Sequence, residues 1–279
     1  MAEFKGFPKA FFDFFRELKA NNERPWFEAN KSRFRETVQA PMSDFIAAMA
    51  PHLARISKQF VADPRPHGGS MFRIHRDVRF SKDKRPYKEH GACQFRHRLG
   101  RDVHAPGFYV HLAPKEVFVG AGLWMPDPDA LFKIRSAIAA RPSSWKKIVN
   151  DKSFVRTLGE IEGEQLQRPP RGVDPNHPFI ADIRRKSFVV GRDSSESSSR
   201  SADFVGETAE CFATAAPFMR FLCNAVAVPC DKKRPVRQPN GGLMARSDWV
   251  QAVDATYPAK PEDQAGKGRA KASSPIWLY

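Results

Sequence analysis

The sequence predicts an α+β fold in which an antiparallel sheet of about five strands is covered by N-terminal and C-terminal helices. Three observations lead to this prediction. Apolar residues recur at helical spacing over the first sixty residues, the period changes to two from Ser70, and helical spacing returns after Asp127. The 279 residues suffice for a substantial core. We expect one domain over residues 1–230, followed by a disordered basic tail over residues 231–279.

Three helices are predicted in the first sixty residues. Pro8 suits a first helical turn, and the first helix ends at Asn21 and Asn22. The second helix begins at Pro25 and is stopped by Pro41, because proline lacks the N–H group that a helix interior needs. The apolar stripe of the third helix consists of Phe45, Met49, Leu53 and Ile56.

Five strands are expected in the central part of the chain. The first covers residues 70–80, where apolar and polar side chains alternate. Its predicted outer face carries Arg73, His75, Asp77 and Arg79, while Arg76 falls among the apolar positions. The other strands are expected near residues 88–98, 108–113, 117–124 and 186–191. Short connections between the first four favour an antiparallel meander.

Helices are again predicted after the strands. Asp127 is a suitable N-cap for the first of them, and the second carries Trp145. The final helical region begins near Phe204 and is broken or restarted at Pro217. The serine-rich stretch DSSESSSRS over residues 193–201 reads as a flexible polar excursion without packing.

The composition favours polyanionic partners. The formal net charge is +15, which suits a phosphate-bearing ligand or nucleic acid. The four cysteines show no CxxC spacing, so we expect reduced thiols and no structural metal. No dinucleotide-binding fingerprint is present, and we expect no cofactor. The N-terminal stretch suits neither a signal peptide nor a membrane span, and we expect a cytoplasmic protein without membrane contact.

The basic stretch over residues 68–88 is the candidate ligand site. Side chains at alternate strand positions lie about 7 Å apart, so several could contact one phosphate group. Arginine and lysine supply matching donors, and a tyrosine supplies a stacking surface. The candidate ligand-binding residues are Arg73, Arg76, Arg79, Lys82, Lys84, Tyr87 and Lys88. The structural alternative is a set of ion pairs with Asp77 and Asp83 on a solvated face.

An enzyme acting on a small anionic substrate is the competing interpretation. Asp77, or the pair of Asp174 and His177, would then carry the proton. Asp174 and His177 lie among prolines, however, and fit an ordinary rigid loop equally well. His75 and Asp77 alone are too few ligands for a metal. A purely structural or interaction domain is the third interpretation.

Several long motifs carry a resemblance to a known family. They are GF at residues 6–7, the NNxRxWFxxNK pattern at 21–31, GGSMFRIHRDVRFSKDKRPYK at 68–88, PGFYVHL at 106–112, VGAGLWMP at 119–126, RPPRGVDPNHP at 168–178 and RRKSF at 184–188. In this order they resemble the DUF2461 family over about residues 4–228. The resemblance implies a single α+β domain and supplies no catalytic residue. The family motif has Tyr where this chain has His75, which weakens a role for His75 as a metal ligand or base.

Overall fold

The computed structural model describes residues 4–100 and 104–230 of the chain. Within these residues a four-stranded antiparallel sheet has its strands in chain order. The strands are β1 (Gly91–Arg96), β2 (Gly107–Ala113), β3 (Glu116–Leu123) and β4 (Phe188–Ser194). The helices are α1 (Lys9–Ala20), α2 (Arg24–Ala29), α3 (Lys31–Phe34), α4 (Ala40–Ile56), α5 (Pro128–Ala140), α6 (Pro142–Val149), α7 (Lys152–Leu158), α8 (Ile180–Ile183), α9 (Glu196–Ser199) and α10 (Phe204–Ala225). The predicted α+β class and antiparallel sheet are confirmed.

The main core lies between one face of the sheet and the helices. The amphipathic helix α1 contributes a run of buried aromatic residues, and α10 packs against β3 and α4. On the opposite face of the sheet a smaller cluster is formed by Ala92, Tyr109 and Val189, with Phe72, Phe118 and Trp124 packed against it. This second face carries most of the polar groups discussed below.

The first predicted strand is wrong, and the sheet has four strands rather than five. Residues 70–90, here called the edge segment, make only isolated bridges, of Met71 with Cys93 and of His75 with Tyr87. The segment thus pairs first with β1 and then with its own returning chain. Because its partner changes, no continuous ladder forms. Side-chain exposure nevertheless alternates as predicted from Arg73 to Arg79.

Two prolines do not interrupt helices as predicted. Pro41 lies in the first turn of α4, where a proline is tolerated, and a π-helical turn (Arg35–Gln39) joins α3 to α4. Pro217 lies inside α10, which continues through it to Ala225. The residues that follow Pro217, Phe218 and Met219, are fully buried. The predicted N-cap Asp127 is confirmed, since its carboxylate accepts a hydrogen bond from the Ala130 amide.

The serine-rich stretch is packed, so the predicted flexible excursion is wrong. Residues up to Ser194 extend β4, and Ser195 then caps α9 by accepting a hydrogen bond from the Ser198 amide. Ser199 is fully buried, and its carbonyl accepts a hydrogen bond from the Phe7 amide at 3.0 Å. Serine hydroxyls act here as local capping groups. The short helices α7 and α8 were not predicted, and the predicted tail over residues 231–279 lies outside the described residues.

Candidate functional site

A cleft of about 280 Å³ lies beside the edge segment. It is lined by Arg76, Asp83, Arg85, Tyr87, Lys88, Glu89 and His90, and is called the Lys88 cleft below. A larger cleft of about 540 Å³ lies near α5, but Asp127 and Asp129 there face a single lysine, Lys133. Among the described residues of this lining, the two carboxylates make the larger cleft less suited to an anion than the Lys88 cleft.

The backbone of the Lys88 cleft is fixed by Asn22, which follows α1. The Asn22 side-chain oxygen accepts a hydrogen bond from the Tyr87 amide at 3.0 Å. Its side-chain nitrogen donates to the Tyr87 carbonyl at 3.0 Å and to Glu89 Oε1 at 3.1 Å. The edge segment also pairs with itself, because the Lys88 amide donates to the Ile74 carbonyl. These bonds hold the returning chain against the N-terminal helices.

Arginines and acids form a network along one wall of the cleft. Arg76 Nη1 donates to Asp83 Oδ2 at 2.7 Å, and the Arg76 side chain is only 14% exposed. Arg85 binds the same Asp83 carboxylate and also Glu89. The guanidinium of Arg85, followed by that of Arg76, lowers the pKa of Asp83. The Nε and Nη2 groups of Arg76 make no hydrogen bond to a described residue.

Lys88 is the cation with the least compensation in the cleft. Its ammonium is mostly buried and lies 5.0 Å from the centre of the Phe72 ring. No carboxylate among residues 4–100 and 104–230 forms an ion pair with it. Burial, with further contributions from Arg73 and Arg76, lowers the pKa of Lys88.

The other predicted cations lie outside the cleft. Arg79 is 76% exposed and binds both oxygens of Asp77, at 2.9 and 2.6 Å. Lys84 donates to the Val78 carbonyl at 3.0 Å, while Arg73 and Lys82 are exposed. The structure therefore brings together Arg76, Tyr87 and Lys88 of the predicted set, and leaves Arg73, Arg79, Lys82 and Lys84 outside.

Tyr87 is a packing residue rather than an open stacking surface. Its ring is 2% exposed and stacks on Phe27 with the ring centres 4.2 Å apart. Burial raises the pKa of its hydroxyl. A base could not reach this ring face without displacing Phe27.

The predicted proton carriers are committed to local contacts. Bonding to Arg79 lowers the pKa of Asp77 to about 2, which makes it a weak base. The Asp174 carboxylate accepts a hydrogen bond from the Asn176 amide, and His177 Nδ1 accepts one from the Phe179 amide. Both groups thus stabilise their own turn, and no hydrogen bond or ion pair joins the Asp174 and His177 side chains.

A buried histidine and tyrosine cluster was missed by the sequence reasoning. The rings of His90 and His111 lie 4.3 Å apart, and Tyr109 Oη lies 3.2 Å from His111 Nδ1. Burial lowers the pKa of His111 to about 4. The alternation in PGFYVHL could have placed Tyr109 and His111 on one strand face. Their approach to His90 depends on the β1–β2 register, in which Ala92 faces His111.

Comparison with known proteins identifies one family. The family described as "Conserved hypothetical protein (DUF2461)" matches residues 10–221. No curated protein and no solved structure matches the chain. Among the described residues, no three His, Cys, Asp or Glu side chains are grouped so that they could hold a metal ion. None of the described helices is both long and apolar enough to cross a membrane.

Proposed function

We propose that this chain, which belongs to the DUF2461 family, binds a phosphate-bearing ligand, either a nucleotide or a nucleic acid, in the Lys88 cleft. Arg76 and Lys88 would contact the anion, and Arg73 would add positive potential near Lys88. Arg79, Lys82 and Lys84 would contribute only long-range attraction, because their side chains lie outside the cleft.

Lys88 is the observation that carries this proposal. A buried ammonium without a counter-ion is unfavourable, because it loses hydration and gains little in return. Its pKa is lowered by burial first and then by Arg73 and Arg76, and the nearby Phe72 ring opposes this lowering only weakly. An anion in the cleft would reverse this balance by supplying the missing opposite charge.

The donors and the size of the cleft suit a phosphate group. Lysine binds phosphate as a compact point charge, and arginine offers parallel N–H donors that match two oxygens. In Arg76 one nitrogen is used by Asp83, which orients the guanidinium and leaves the Nε and Nη2 edge for a ligand. A volume of about 280 Å³ accommodates a phosphate group and part of what it is attached to.

Lys88→Met is the sharpest test, because methionine keeps much of the side-chain volume and removes the charge. Lys82→Met is the matched control, since Lys82 is an exposed lysine of the same segment. Binding of inorganic phosphate, adenosine monophosphate and single-stranded oligonucleotides of two lengths would be measured by calorimetry. We expect Lys88→Met to weaken binding at least about tenfold and Lys82→Met to leave it unchanged.

Two results would oppose the proposal. Equal affinity of the wild type and of Lys88→Met would show that Lys88 does not contact the ligand. Equal weakening by both variants would indicate attraction by net charge alone. Affinity that rises with oligonucleotide length and falls steeply with salt would identify a nucleic acid, because each additional phosphate contact releases counterions.

The enzymatic alternative has less support than binding. Asp77, Asp174 and His177 each serve an adjacent residue, and none of them lines the Lys88 cleft. A reaction at this cleft would have to use another proton carrier.

A further inference from the structure

Two adjoining clefts share one histidine. Beside the Lys88 cleft lies a second cleft of about 220 Å³ against α1 and β2. It is lined by Phe15, Arg16, Lys19, Glu89, His90, His111, Ala113, Pro114 and Glu116. Glu89 and His90 line both clefts. The Glu89 carboxylate is already bonded to Asn22 and Arg85.

His90 is held in place without using its ring nitrogens. Its ring lies against the His111 ring at 4.3 Å with an angle of 35° between the planes. His111 is in turn positioned by Tyr109 through the 3.2 Å contact. Neither ring nitrogen of His90 forms a hydrogen bond with a residue in the described part of the chain. The imidazole is thus oriented by packing against the tilted His111 ring, and its polar atoms remain for an occupant of the clefts.

We infer that the ligand of the Lys88 cleft is a phosphomonoester whose terminal phosphate lies between Lys88 and His90, and that His90 takes up a proton when the phosphate binds. This inference rests on the proposed function, and it narrows the ligand to one chemical class. Internal phosphodiesters of a nucleic acid would be poor ligands.

The chemistry of the two phosphate types explains this selectivity. A phosphomonoester carries nearly two negative charges at neutral pH and presents three oxygens, whereas a diester carries one charge. The charge of Arg76 is already paired with Asp83, so two ligand charges can be matched by Lys88 and a protonated His90 together. A diester would leave the additional positive charge uncompensated.

The neighbours of His90 account for the proton uptake. Burial lowers the pKa of His90 well below its ordinary value, with further lowering by His111, Lys88 and Arg76. A bound dianion would offset Lys88 and Arg76 and so raise this pKa. The charged or titratable groups facing the two clefts with His90 are Arg16, Lys19, Arg76, Asp83, Arg85, Tyr87, Lys88, Glu89, His111 and Glu116.

Linkage fixes the sign of the pH dependence. If binding raises the pKa of His90, protonation must strengthen binding by the same factor. Affinity for a dianion should therefore rise as the pH falls through the pKa of the complex. It should become constant below the lower pKa of the free protein.

Sulfate is a suitable probe, because it stays dianionic near neutral pH and any proton taken up belongs to the protein. Calorimetry of the full chain at pH 6.5, in buffers of different ionisation enthalpy, gives the number of protons bound per sulfate. We expect a positive fraction of one proton for the wild type. His90→Gln should still bind sulfate but take up no proton. His67→Gln, which changes an exposed histidine, should behave as the wild type.

A second pair of probes tests the ligand class. Phenyl phosphate and methyl phenyl phosphate share the ring and differ in the extra ester. We expect the wild type to prefer the monoester at least about tenfold, and His90→Gln to lose most of this preference. If His90→Gln does not fold, the imidazole Cε1–H resonance of His90 in the wild type is followed instead. Its titration midpoint should move to higher pH when sulfate is added.

The outcomes separate this inference from the proposed function. If neither sulfate nor phenyl phosphate binds, or if Lys88→Met binds them as the wild type does, the proposed function fails. If both bind through Lys88 but no proton is taken up, or His90→Gln takes up as many protons as the wild type, only the role of His90 is overturned. Equal affinity for the two phenyl esters would overturn the choice of ligand class.

Discussion

The Lys88 cleft and the outer tip of the edge segment (residues 77–82) are neighbours in sequence and carry similar charges, yet their side chains differ in exposure to solvent. The Arg79 side chain is 76% exposed, whereas that of Arg76 is 14% exposed and Lys88 is mostly buried. Exposed charges interact weakly because solvent and salt screen them. A buried lysine or arginine without an opposite charge, in contrast, lowers the stability of the folded protein. The loss of hydration, rather than the density of charge along the chain, therefore distinguishes a candidate site here.

Replacement of Tyr87 should have the largest effect on stability. It would sharpen the contrast between the buried Lys88 cleft and the exposed outer tip. We expect Tyr87→Ala to lower the free energy of unfolding by about 3–5 kcal/mol, because it removes a buried ring that stacks on Phe27. Urea denaturation measures this change. Tyr87→Phe keeps the stack and should cost much less. A small change in the free energy of unfolding for Tyr87→Ala would mean that the ring is not held by packing and could contact a ligand.

Acid should destabilise the protein through the histidine cluster beside the cleft. The pKa of His111 is about 4 in the folded protein, compared with 6.5 for an ordinary histidine. Between these values the unfolded chain binds more protons, so the free energy of unfolding should fall as the pH is lowered from 6.5 to 4. His111 would contribute about 3 kcal/mol over this range.

Urea denaturation at several pH values tests this expectation, with His111→Gln as the comparison. The variant should show a shallower fall than the wild type between pH 6.5 and pH 4. In the outer tip, Asp77 titrates in a lower window, towards its pKa of about 2, and is too exposed to produce the same effect. Identical slopes for the wild type and His111→Gln would show that His111 does not stay neutral.

Lys88→Met should stabilise the unliganded protein while weakening anion binding. The lowered pKa of Lys88 means that folding disfavours its charged form, so removal of the charge should add about 0.5–1 kcal/mol at pH 7. The gain should shrink as the pH rises towards 10.5, because the unfolded chain then binds more protons than the native state. A destabilised Lys88→Met variant would mean that Lys88 has a favourable partner, and the contrast with the outer tip would disappear.

Arg79→Gln should have the smallest effect. Asp77 and Arg79 are both exposed, so we expect no measurable shift in the unfolding midpoint and no change in sulfate affinity. Arg76→Gln is the matched comparison, because it changes the arginine that lines the cleft. It should weaken sulfate binding severalfold. Equal loss for both variants would abolish the distinction between the two regions.

The sequence predicted the elements that depend on local periodicity. The helical stripe of α1, the cap at Asp127 and the strands β2, β3 and β4 all follow from side-chain spacing and turn residues. The edge segment was predicted as a strand because apolar and polar residues alternate in it. Such alternation indicates which side chains are exposed to solvent, but not which backbone groups the segment bonds to. After Phe72 the backbone stops pairing with β1 and pairs with its own returning chain, and the alternation of side chains does not reveal this change.

The sequence did not predict which residues line the candidate cleft. The proposed site lies in the basic segment, where burial separates Lys88 from Lys82 although the two lysines look alike in sequence. His90 and His111 are 21 positions apart, and only strand register brings their rings together. Asn22 looked like a helix-terminal residue, and its bonds to Tyr87 require α1 and the edge segment to be docked.

The Asn22 contact has a consequence for the order of folding. Asn22 lies 65 positions upstream and holds both backbone polar groups of Tyr87, so this anchor forms only once the N-terminal helices dock against the edge segment. Non-local contacts of this kind form slowly, because a long loop must first be closed. The Tyr87 amide should therefore exchange its hydrogen with solvent only when that docking opens. Its exchange rate would report the integrity of the whole N-terminal interface from a single position.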